Sequence, residues 1–122
     1  MKQIPDAFTN MLAAWNERDL AQIRTHIDKA LAENVVFADP TNFIHGRDAF
    51  EAMIKEFRLK YPESVCSRTS GIDSHNKRHR YSWEIHDGQK VFIKGTDFVQ
   101  LDENGLVGRV DGFFGDLPNL ES

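Results

Sequence analysis

From Val65 onward the apolar residues of this chain stop recurring at helical spacing and begin to alternate. That change of period restricts the fold more than any other feature. Ahead of it, Ile4, Phe8, Met11, Leu12 and Trp15 form one helical stripe, with Pro5 suited to a first turn. Asp19 caps a second helix whose stripe is Leu20, Ile23, Ile27 and Leu31. The β-branched run from Val35 ends at Asp39-Pro40, and a loop over 40–46 follows. Asp48 stands near the start of a third helix carrying Phe50, Met53, Ile54 and Phe57, which Tyr61-Pro62 stops. Four strands then read at about 65–73, 78–86, 90–101 and 106–114, with Asp87-Gly88 and Asn104-Gly105 as hairpin signals. Three N-terminal helices feeding a mainly antiparallel meander predict an α+β domain, the helices packed on one face of the sheet.

One domain spanning 1–122 is expected, because the chain has no repeat, linker or low-complexity stretch. The 19 acidic against 15 basic residues leave a charge of −4, which favours neither nucleic acid nor an anionic membrane. Lys77-Arg78-His79-Arg80 is the local exception and reads as the solvated start of a strand. A single cysteine, Cys66, excludes an internal disulfide and suits a reducing compartment. No run reaches membrane-spanning length and no leader pattern opens the chain, so a cytoplasmic protein is the expectation.

Two aspartates stand where strand faces should be apolar. Asp39 shares the face of Val35 and Phe37; Asp97 shares that of Val91, Ile93, Val99 and Leu101. A carboxylate on such a face must find a partner, hold a proton or do chemistry. Proton abstraction beside a carbonyl needs a carboxylate base and a donor facing the developing oxyanion. Asp39, at a strand end beside a Pro-containing loop, suits the ionised base, and Asp97, in mid-strand, the desolvated acid. The competing readings are an Asp-Pro turn for Asp39 and a buried ion pair, with Lys94 or an arginine, for Asp97. Arg109 and Asp111 share one face of the last strand; Val110, Gly112 and Phe114 share the other. His45, His75, His79 and His86 have no metal-site spacing, and no phosphate loop or nucleophile triad is present, so neither metal nor cofactor is expected.

The order of Ala14-Trp15-Asn16-Glu17-Arg18-Asp19-Leu20, Phe37-Ala38-Asp39-Pro40, Gly46-Arg47-Asp48-Ala49, Gly95-Thr96-Asp97-Phe98 and Gly112-Phe113-Phe114-Gly115 resembles the SnoaL-like and ketosteroid-isomerase-like proteins. These belong to the nuclear-transport-factor-2-like superfamily. The resemblance implies a curved sheet around a conical pocket, a homodimer formed through the sheet, and a small apolar ligand or substrate. It matches Asp39 to the general base of ketosteroid isomerases and Asp97 to their second, oxyanion-facing aspartate. In those isomerases an apolar site keeps the second carboxylic acid neutral, so that it can donate a hydrogen bond. The helix-1 position of their oxyanion tyrosine is Met11 here, and methionine cannot donate. In a cone-shaped fold Trp15, Phe37, Met53, Phe57 and Phe114, core residues by default, also line the cavity. An isomerase, cyclase, dehydratase or hydrolase fits such a pocket; a non-catalytic ligand-binding domain or a dimeric scaffold is the alternative.

Overall fold

A computed structural model describes residues 4–121; residues 1–3 and 122 of the expected domain lie outside it. Helix α1 spans Asp6–Asn16, a 3-10 turn Leu20–Gln22, and α2 Ile23–Ala30; β1 (Leu31–Ala38) and β2 (Phe43–His45) precede α3 (Arg47–Lys60). Then come β3 (Ser64–Arg68), β4 (Asp73–His75), β5 (Arg78–Asp87), β6 (Lys90–Leu101) and β7 (Val107–Phe114). Asp19 does cap, its Oδ1 accepting from Ala21 N–H at the head of the 3-10 turn.

Several boundaries differ from those expected, and in β1 to β4 a strand pairing overrides the local pattern. Pro5 precedes α1 as its N-cap, and Ile4 lies outside the helix, exposed. Leu31, expected on the second helix, instead opens β1 opposite Val107 and is fully buried. The loop 40–46 contains β2, which folds back antiparallel on β1. The strand expected over 65–73 is two, β3 and β4, both paired to β5. Asn76 and Lys77, with φ of 48° and 62°, make the unforeseen tight turn between β4 and β5. Gly88 and Gly105 take the positive φ their turns require. The second turn is longer than two residues, Asp102 N–H reaching the Leu106 carbonyl.

The sheet runs β2-β1-β7-β6-β5-β3, with β4 also on β5. Every pairing is antiparallel except β1 with β7, which is parallel. Register shifts interrupt β1–β7, β5–β6 and β6–β7. Such bulges bend and twist the strands, and the mixed sheet curves without closing. The helices cover its concave side. The α2 residues Ile23 and Ile27 are wholly buried there with Phe50 and Ile54 of α3 and the strand residues Val35, Val107 and Val110.

Arg58 is the unexpected member of this interior. It is 3% exposed with no carboxylate partner among the described residues. Its Nη1 donates to the carbonyls of Ser64 and Trp15, and its Nη2 to that of Pro62, tying the ends of α1 and α3 to the start of β3. Carbonyl ends left bare inside a fold are costly. Replacing Arg58 by Met is therefore expected to lower unfolding free energy by about 3 kcal/mol, read as a fall in urea midpoint at unchanged m-value.

Candidate functional site

Between α1, the C-terminal half of α3 and the concave face of the sheet lies a cavity of about 590 Å³, within the usual range for small-molecule sites. Met11, Trp15, Phe37, Met53, Phe57 and Phe114 all line it, as do Asp39 and Asp97. Aromatic edges close its apolar end: Trp15 meets Phe57 and Phe50 edge-on, and Phe37 meets Phe50. One residue expected on the face of Asp97 is displaced. Val91 is exposed, because the β5–β6 register shift turns it outward, and Phe92 lines the cavity in its place.

Strand pairing brings the two aspartates together. Parallel β1 sets Ala38 beside Asp111 of β7, so Asp39 falls beside Gly112; antiparallel β6 sets Asp97 opposite Gly112. A β-carbon on Gly112 would lie 3.0 Å from Asp97 Oδ1 and 3.4 Å from Asp39 Cβ. Both side chains thus flank one glycine, and a side chain there would press on the Asp97 carboxyl and touch Asp39.

Asp39 makes the turn anticipated for an Asp-Pro pair and faces the cavity as well. Its Oδ1 accepts from the Thr41 and Asn42 backbone N–H groups and from both their side chains. These bonds all fall on Oδ1. Among the described residues nothing donates to Oδ2, so a carboxylate held in a fixed orientation keeps one oxygen open.

Among the described residues Asp97 has no ion pair, and Lys94 reaches Asp116 instead. Its Oδ1 accepts from Trp83 Nε1 at 2.9 Å, and its Oδ2 from the Tyr81 hydroxyl at 3.3 Å. Its pKa is raised to about 6: burial drives it up, the two hydrogen bonds pull against that, and the nearby Asp39 adds to the rise. Burial likewise lifts the Tyr81 phenol well above its ordinary value, with the charge of Asp97 adding to it. The Cys66 thiol is pushed up to about 12 by burial and, next, by Asp97. It stays protonated and is no nucleophile.

Tyr81 and Trp83 were not singled out from sequence, although Tyr81, Trp83 and Ile85 alternate on one face of β5. Trp83 reaches Asp97 because it lies across Gly95, its partner on β6. A β-carbon there would collide with the Phe113 carbonyl and come within 2.6 Å of Trp83 Cζ2. Arg109 and Asp111 share the face away from the cavity, opposite Gly112 and Phe114, and there they pair with each other. Among the described residues no cluster of His, Cys, Asp and Glu could hold a metal, and no helix is long and apolar enough to cross a membrane.

The arrangement has relatives. Residues 8–110 match the family profile of the SnoaL-like domain. A provisionally named isomerase of the SnoaL-like family from Agrobacterium tumefaciens is 31% identical, over 91% of this chain and 96% of that one, with a TM-score of 0.84. An NTF2-like protein of unknown function from Exiguobacterium is 14% identical over 91% and 99%, with a TM-score of 0.73. A provisionally named SnoaL-like polyketide cyclase from Jannaschia is 11% identical over 93% and 90%, with a TM-score of 0.67. The last two show the fold alone. No curated protein matches the chain.

Because Asp97 holds its proton more tightly folded than unfolded, its contribution to stability is greatest below 3.8 and is lost as pH rises through about 6. Above that range the buried charge costs roughly 2–3 kcal/mol. Asp97→Asn keeps an acceptor for Trp83 and removes the charge. Thermal melts should show the variant more stable than the parent at pH 8, with the gain gone near pH 4.

Proposed function

Because this chain belongs to the SnoaL-like domain family, we propose that its cavity performs cofactor-independent proton transfer on an apolar carbonyl compound, as an isomerase or cyclase does. One observation carries this reading: an oriented carboxylate with an open oxygen and a desolvated carboxyl of pKa about 6 flank the same glycine in an apolar cavity. The provisional isomerase assignment of the Agrobacterium relative agrees with it.

Asp39 takes the proton through Oδ2. Asp97 supplies the acid, since a group titrating near the working pH is available in both forms. Protonation of Asp97 also changes what Tyr81 does. Facing the ionised carboxylate, the hydroxyl donates to it. Facing the acid, it accepts, and its own O–H turns toward the cavity as a donor for the oxyanion. That donor compensates for Met11, which offers none.

Proton transfer can be followed without knowing the substrate, as exchange of α-hydrogens of cyclic ketones with D2O by NMR. Exchange should be fastest below pH 6 and fall as Asp97 ionises. Asp39→Asn should slow it by about 10²–10⁴, and Asp97→Asn should flatten the pH profile. Exchange that survives Asp39→Asn, or that rises through pH 6, would remove this assignment of roles.

Met11 favours a second reading, a binding domain without chemistry, for which a bound ketone is recovered with all its hydrogens unexchanged. For assembly we propose a homodimer through the outer sheet face, where Phe98 and Phe113 meet edge-on yet stay 43% and 60% exposed. Sedimentation should give twice the chain mass, and Phe113→Asp should halve it.

A further inference from the structure

The cavity wall holds a cation that the proton transfer does not use. Arg68 ends β3, opposite Trp83, on the same face as Cys66, and lines the cavity half-buried. It lies close enough to Tyr81 for its charge to act on that hydroxyl. Among the described residues its only hydrogen bond to the protein is from Nε to the Ser70 carbonyl, at 3.0 Å. Neither terminal nitrogen has a partner among them. Arg18, Arg24, Arg47, Arg80 and Arg109 each face a carboxylate, both terminal nitrogens of Arg58 donate to carbonyls, and Arg78, which does not line this cavity, donates to the Asn76 carbonyl. Arg68 has no carboxylate partner, and it lines the cavity beside Tyr81 with both terminal nitrogens unengaged among the described residues.

From this we infer that the occupant of the cavity is an apolar monocarboxylic acid whose carboxylate is received by the terminal nitrogens of Arg68, an inference that rests on reading the cavity as the substrate site. A guanidinium fork matches a carboxylate in two parallel hydrogen bonds. The rest of the wall argues against a dianion such as a phosphate. Asp39 and Asp97 already bring negative charge, and the α3 turns at the mouth are its C-terminal, carbonyl-bearing ones. Lys60 also borders the mouth, but it is exposed, and Glu56 one turn earlier offsets it.

Geometry bounds the molecule further. Arg68 on β3 and Gly112 on β7 are three strand spacings apart, about 14 Å across the sheet. The arginine and the aspartates reach inward from either end of that span. A reacting carbonyl at Asp39 and a carboxylate at Arg68 are then separated by about one ring, which describes a cyclic keto acid with its carboxyl on the far side of the ring.

The test is calorimetric binding of a panel of cyclic keto acids that carry the carboxyl across the ring from the ketone, each compared with its primary amide. The acids should bind at least about tenfold more tightly than their amides. Arg68→Gln should abolish the preference without weakening the amides, and Arg68→Lys should keep part of it. Equal affinity of acid and amide for the unaltered protein overturns the inference, and so does failure of every panel member to bind. A preference that survives Arg68→Gln overturns it too. The two readings fail separately. If amides bind as well as acids and still exchange their α-hydrogens, the substrate class falls and proton transfer stands. If the acids bind through Arg68 and never exchange, proton transfer falls and the substrate class stands.

Discussion

The parallel pairing of β1 with β7 is the contact on which the rest of this molecule depends. Every other pair of neighbouring strands is antiparallel, and all of those but β3 with β5 join strands consecutive in the chain. β1, with β2 paired on its outer edge, comes from the helical half and must cross to the far end of the meander. Its arrival buries Leu31, Val35, Val107 and Val110 together and carries α2 and α3 over the concave face. The same register lays Asp39 next to Gly112. Fold closure and site assembly are one event, because a single ladder of backbone hydrogen bonds specifies both.

Within that frame the site balances desolvation against hydrogen bonding. Burial alone would carry Asp97 further upward; donors from Trp83 and Tyr81 hold it at about 6. The result is a carboxyl that changes state in the range where proton transfer is useful, at a cost in stability near neutral pH. Two glycines make this possible. Gly95 lets the Trp83 indole lie across the sheet, and Gly112 leaves the carboxyls room. Neither acts through its flexibility; each acts because a methyl group would occupy space already in use.

Two arginines illustrate how one residue type serves opposite ends. Arg58 is enclosed, and both its terminal nitrogens donate to carbonyls, so it fastens helix ends to a strand. Arg68, at the far end of that same strand, lines the cavity with its terminal nitrogens unengaged among the described residues. Sequence position does not separate them. What does is whether backbone oxygens converge on the guanidinium, and loops on several elements decide that.

The amino-acid order by itself determined the α+β class, the three helical regions, the meander and the opposed faces of the last strand, since these depend on residues near one another in sequence. It also singled out Asp39 and Asp97, because a charge breaks an apolar alternation visibly. The parity rule failed at Val91, where a register shift reverses the faces, and at Leu31, which a long-range pairing takes from helix to strand. Only the tertiary structure decided that both aspartates meet at Gly112, that Trp83 and Tyr81 hold one of them, and that Arg68 opens onto the same space. The reason is physical. Periodicity tells which face a side chain takes, whereas the register between distant strands tells what it meets there.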